Sequence, residues 1–149
     1  MIIMPGEDRK RRNMTNLVVG DADSIIALVY KDDANHTKAQ KISEKLLLNK
    51  FQIIFPDTAI VEAITTLKRA LNLADKAHFI NKQYQNGTFH VEYITENIMQ
   101  KASKIFGEAL SKKNTFFDAI IAATAVELGT KEIFSFDKWY EKLGFKLVK

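Results

Sequence analysis

Leu17-Val18-Val19-Gly20-Asp21 decides how this chain folds: an uninterrupted apolar run that breaks off at an acid. Apolar residues without alternation mark a strand covered on both faces, as in a parallel sheet. Working outward, Phe51 to Phe55 is a second apolar strand closed by Pro56, Thr88 to Tyr93 alternates like a strand, and Ile133 to Phe136 and Phe145 to Val148 are two more. Between them lie segments with helical spacing. Ser24 to about Tyr30 forms one, and Asp33 or Asn35 caps the next, in which Ala39, Ile42, Leu46 and Leu47 recur. Ile60, Ala63, Ile64, Leu67 and Leu71 continue the pattern, and a second amphipathic segment to Asn86-Gly87 completes a helical hairpin. Thr95 caps a helix to about Leu110, Thr115 opens the most apolar helix, ending at Gly129, and Asp137 to Leu143 is short. Short apolar strands alternating with helices imply an α/β sandwich with a largely parallel sheet.

A chain of 149 residues is the size of one domain, with one continuous core. No apolar run approaches the roughly 20 residues of a membrane span. The absence of Cys excludes disulfide scaffolds, thiol nucleophiles and thiolate zinc sites, and it fits a reducing compartment; the expected location is cytoplasmic. Three scattered His leave no all-imidazole metal site. The net charge of +4 is compatible with a polyanionic partner. Half of it falls in residues 1–16, where Arg9-Lys10-Arg11-Arg12 outweigh Glu7 and Asp8. That segment lacks a signal-peptide apolar core and reads as a disordered basic arm ahead of a domain spanning 17–149, with Met14 as an alternative start.

In open α/β sheets, ligands bind beyond the carboxyl ends of the strands. Two strands run into an acid there, Asp21 and Asp137, though either residue alone also suits a turn or helix cap. Asp118 sits in a helix apolar on nearly every side, three residues after Thr115, the spacing of a capping box. Glu62 lies one turn into its helix, on the flank of the Ile60, Ile64, Leu67 stripe. Two carboxylates about 4 Å apart repel by roughly 4 kcal/mol at an effective dielectric of 20. Acids meeting in one crevice therefore need a cation or raised pKa values, and a hard divalent ion, Mg²⁺ or Mn²⁺, is the natural oxygen-bound solution.

The motifs VVGDADSIIALV (18–29), FPDTAIVEAITTL (55–67), TFFDAIIAATAVELG (115–129) and IFSFDKWYEKLGFKLV (133–148) occur in the order seen in a known family. Over nearly the whole chain from Leu17, the sequence resembles PIN-domain nucleases, especially VapC-like ribonuclease toxins. The resemblance implies a three-layer α/β/α sandwich with a mostly parallel central sheet and a metal-dependent endoribonuclease site. It implies Asp21 and Asp118 as principal Mg²⁺ or Mn²⁺ ligands, with Glu62 and Asp137 completing a catalytic cluster. Asp23 stands where the family usually carries Ser or Asn and adds a fifth acid. Ser24 or Ser135 would orient a water or phosphate, or act as helix or turn caps. The resemblance further implies RNA as substrate, a cognate antitoxin and a homodimer, with the Thr58 to Asn86 hairpin as the place where such contacts are built in the family, although a core stripe is the default expectation for its apolar face.

Two other readings stay open at this stage. Asp21-Ala22-Asp23 also looks like the nucleophile motif of DxD phosphatases, and a PIN fold can serve as a catalytically silent RNA-binding or interaction module. No glycine-rich phosphate loop, G-x-S-x-G or H-E-x-x-H motif occurs. His36, His78 and His90 read as surface or packing residues, and Trp139 and Tyr140 as packing for the last helix rather than base-stacking platforms.

Overall fold

The computed structural model describes residues 16–149; the basic arm lies outside them, except that Asn16 is already the first residue of a strand. In chain order the elements are β1 (Asn16–Gly20), α1 (Ala22–Val29), α2 (His36–Leu48), β2 (Phe51–Pro56), α3 (Asp57–Thr65), α4 (Ala74–Gln85), β3 (His90–Glu92), α5 (Glu96–Glu108), α6 (Phe116–Leu128), β4 (Glu132–Phe134), α7 (Trp139–Lys142) and β5 (Lys146–Leu147). The strands form one sheet in the order β3-β2-β1-β4-β5, with every neighbouring pair parallel.

β1 is central, and its composition follows from that position. Val18 and Val19 are fully buried and point to opposite faces. Val18 packs with Phe134, Ala27 of α1 and Ala39, Ile42 and Leu46 of α2. Val19 packs with Ile133, Trp139, Tyr140 and Ile121, Ala122 and Ala125 of α6. Burial of one such side chain contributes about 1.5–3 kcal/mol. Helices thus cover both faces, giving the three-layer α/β/α sandwich expected from the sequence. α5 lies on the outer side of α6 through Ile98, Ala102, Ala119 and Ala123. α3 and α4 pack with α1 and Phe55 around a second apolar cluster.

Gly20, the last residue of β1, has no room for a side chain. A Cβ there would stand 2.1 Å from Cε1 of Phe55, whose ring fills the space above the strand end. α6 ends as its sequence predicts, with Gly129 in the left-handed conformation at φ 73°.

Several element ends lie a residue or more from the sequence reading, and two of these differences are informative. α3 passes into a π-helical turn over Thr66–Ala70, where the Leu71 amide reaches back to the Thr66 carbonyl. β4 stops at Phe134, so Asp137 does not directly follow a strand, in contrast to the expectation. The reason is a tertiary contact: the Phe136 amide donates to the Asp23 carboxylate at 2.8 Å instead of entering the ladder.

Candidate active site

From β1 the chain progresses outward to β2 and β3, then returns to the other side of β1 as β4 and β5. The reversal falls between β1 and β4, and in such sheets the crevice beyond that point is where ligands bind. Asp21 is set there by the end of β1. Its amide donates to the Phe134 carbonyl at 3.0 Å, which fixes it against β4.

Asp21 is almost fully buried, and its carboxylate is held from three directions. Oδ1 accepts from the Ala22 amide at 2.7 Å, making Asp21 the N-cap of α1. Oδ2 accepts from the Tyr140 hydroxyl at 2.7 Å and from Ser135 Oγ at 3.2 Å. Burial, reinforced by the charges of Asp23, Asp118 and Glu62, pushes its pKa well above the ordinary carboxylate range, against the pull of Tyr140.

Asp23 faces the same crevice from the first turn of α1. Its Oδ2 accepts from Ser135 Oγ at 2.9 Å and from the Phe136 amide, whereas Oδ1 is buried without a partner. Burial raises its pKa to about 6. Glu62, on α3, likewise has a buried Oε2 without a partner, and burial together with Asp118 and Asp23 raises it to about 7. Unsatisfied buried carboxylate oxygens are costly, so two of them around one crevice mark a place built for something other than stability.

Asp118 takes the capping-box position that its spacing predicts and also faces the crevice. Its Oδ2 takes the Thr115 amide at 2.9 Å and closes a capping box at the start of α6. Its Oδ1 lies 3.5 Å from the Tyr140 hydroxyl, and its pKa is raised, chiefly by burial, with the Asp137 charge adding to it. Asp137 reaches the group from the loop after β4: Oδ1 caps the Trp139 amide at 2.9 Å, and Oδ2 accepts from Asn114 Nδ2 at 3.1 Å. Asn114 also reaches Asp118 Oδ2 at 3.4 Å, so one amide spans two acids.

The structure therefore brings Asp21, Asp23, Glu62, Asp118 and Asp137 to one crevice, electrostatically coupled to one another. Ser135 lies at its centre, donating to the acids and accepting the Asp137 amide at 3.1 Å. Ser24 bonds within its own helix: fully buried, its hydroxyl donates back to the Asp21 carbonyl at 2.7 Å. Sequence reasoning missed Asn114 entirely, and it saw only the packing half of Tyr140. A buried Tyr must find a partner for its hydroxyl, and that was the available signal.

A divalent cation fits this donor set by chemistry, since every candidate ligand is a hard oxygen and two of the oxygens are orphaned. Among the described residues, however, no group of three His, Cys, Asp or Glu side chains stands ready to hold a metal ion together. Mg²⁺ needs no such cage. It is usually held by one or two carboxylates, with waters and substrate phosphate oxygens completing the shell.

Comparison with known proteins identifies the family and the fold. The PIN domain family model matches residues 18–146. This chain belongs to the PIN domain family. No curated protein matches the PIN chain described here. Solved structures do: VapC20 of Mycobacterium tuberculosis, described as a sarcin-ricin loop cleaving toxin, is 20% identical with a TM-score of 0.74, covering 87% of this chain and 96% of its own. That likeness is one of fold. Among the described residues of this PIN domain, no helix is long and apolar enough to cross a membrane.

Proposed function

We propose that this PIN domain is a metal-dependent endoribonuclease that hydrolyses RNA phosphodiester bonds through Asp21, Glu62, Asp118 and Asp137. The observation that carries this reading is the convergence of these acids, with Asp23, at the β1/β4 switch point, where burial and mutual repulsion raise the pKa values of four of the five. Carboxylates gathered at such a cost are best relieved by a cation. Asp21 and Asp118 would hold Mg²⁺ or Mn²⁺, with Glu62 and Asp137 completing its surroundings directly or through water. When bound, the ion polarises the phosphodiester and lowers the pKa of a water.

The protein's own residues supply the rest. Ala22 N–H, Ser135 and Tyr140 fix the Asp21 carboxylate, and the capping box fixes Asp118, so both are oriented before any ligand arrives. Glu62, raised to about 7, is poised to accept and release a proton near neutrality. No His takes part. Asn114 keeps Asp118 and Asp137 apart as a neutral donor between two charges.

The likeness in fold to a toxin leads us to assign the chain to the toxin half of a type II toxin-antitoxin pair, with a cognate antitoxin and a homodimeric state. A cytoplasmic location accords with that role. A second reading rests on the missing three-ligand group: a catalytically silent PIN module that binds RNA or a protein. The phosphatase reading is disfavoured because Ser24-Ile25 follow the second acid where that motif usually has Thr or Gly.

The deciding experiment incubates a mixed pool of structured and unstructured RNA with wild type and Asp118→Asn, in Mn²⁺, in Mg²⁺ and in EDTA. Metal-dependent cleavage by wild type that disappears in the variant supports the nuclease. RNA binding by a folded wild type without cleavage in either metal favours the silent module.

A further inference from the structure

We propose that Tyr140 is a positioning residue for the metal-binding carboxylates: its buried hydroxyl holds Asp21 Oδ2 beside Asp118 and so keeps the two principal ligands in register. This deepens the nuclease reading and rests on it. The Tyr140 ring is fully buried among Val19, Ile121, Ala122, Ile133 and Leu147. Only the hydroxyl extends from that apolar cluster to the acids, 2.7 Å from Asp21 Oδ2 and 3.5 Å from Asp118 Oδ1. A phenol has one hydrogen to donate, and the short contact assigns it to Asp21. Ser135 Oγ lies 3.2 Å from the same oxygen, but its single hydrogen is closer to Asp23 Oδ2 at 2.9 Å, so Tyr140 is the firmer donor to Asp21 Oδ2, while Oδ1, which accepts only the Ala22 amide, keeps acceptor capacity for a ligand.

Two features separate this from ordinary packing. The residue belongs to α7, a four-residue helix whose neighbouring Trp139 shares the same apolar cluster but places no side-chain polar atom on any acid. The hydroxyl also lies beneath the carboxylates with no exposed surface, so it cannot touch RNA directly and acts only through Asp21. Partners of metal-binding side chains that orient them in this way typically change metal affinity or activity by about 10–100-fold when removed.

The test compares wild type, Tyr140→Phe, Trp139→Phe and Asp21→Asn, reading Mn²⁺ affinity from the electron paramagnetic resonance signal of free Mn²⁺, alongside RNA cleavage and melting temperature. Tyr140→Phe keeps the ring and deletes one oxygen. The expected result is a loss of Mn²⁺ affinity of about 10–100-fold with KM for RNA unchanged. Trp139→Phe, which disturbs the same cluster without touching an acid, should lower the melting temperature and leave Mn²⁺ affinity as it was. Wild-type Mn²⁺ affinity in Tyr140→Phe overturns the proposal, as does an equal loss in Trp139→Phe, which would make the role one of packing. If wild type binds no Mn²⁺ that Asp21→Asn abolishes, the nuclease reading fails, and the Tyr140 assignment fails with it.

Discussion

At the carboxyl end of β1, Asp21 is buried among four other acids, and oxygens of Asp23 and Glu62 lack partners. At the amino end of the same sheet, Ile42, Leu46, Phe51, Phe145 and Leu147 line a cavity of about 450 Å³. Two of its lysines have partners: Lys45 donates to the Lys149 carbonyl at 3.1 Å, and Lys146 stands 3.9 Å from Glu132. The amino end encloses an apolar hollow, and among the described residues no buried carboxylate oxygen there lacks a partner. What distinguishes the proposed site in this molecule is unrelieved polarity, not the presence of a hollow.

The comparison breaks most readily at Asp118. Replacing it with Asn should lower RNA cleavage by about a thousandfold, the equivalent of several kcal/mol of charge stabilisation, while Lys45→Ala at the far end leaves the rate unchanged. Gel assays of both variants at matched metal concentration check this.

Next in size is the response to the ion. Mn²⁺ at 100 times its dissociation constant should stabilise wild type by about 2.7 kcal/mol, seen as a rise in melting temperature that Asp118→Asn blunts. An identical rise in both would show that the acids do not share a site.

Gly20→Ala probes the joint between β1 and the crevice. The added methyl meets the Phe55 ring, and overpacking of this kind costs about 1–3 kcal/mol. Calorimetry should show the transition lowered by roughly 2–12 °C. An unchanged transition would mean that the ring moves aside without penalty.

The pH response carries a definite sign. Asp23 and Glu62 are raised from ordinary values of 3.8 and 4.5 to about 6 and about 7 in the folded, metal-free protein. The folded chain therefore binds more protons than the unfolded chain between about pH 4 and 7, and stability falls as pH rises through that window. Melting temperature in EDTA should decline from pH 4.5 to 7.5, and less steeply in Glu62→Gln. The smallest effect belongs to the amino end: Lys146→Ala should change stability by less than about 1 kcal/mol, as for other exposed pairs.

Much of this was legible in the residues. Unbroken hydrophobicity in Leu17 to Gly20 announced a central parallel strand, because only a strand covered on both faces tolerates it. Asp118 was conspicuous because an acid inside an apolar helix is unusual. The limits were equally physical. Ile133 to Phe136 reads as one strand, and nothing local reveals that the Phe136 amide is claimed by Asp23, 113 residues away in sequence. The π-helical turn at Thr66–Ala70 carries no proline or glycine to betray it. Asn114 is a polar residue ahead of a cap, indistinguishable from any other until α6 and the loop after β4 bring Asp118 and Asp137 to either side of it.

The strand order has a consequence for the timing of synthesis. Ser135 and Asp21 meet across 114 positions, and Tyr140 and Asp21 across 119, so the crevice is stitched from the early and late parts of the chain. A nascent chain halted before β4 carries Asp21, Asp23, Glu62 and Asp118 but lacks the strand that gathers them. On the proposed nuclease reading, such incomplete products should be inert, and the chain should gain activity only once its last helix has folded against the sheet.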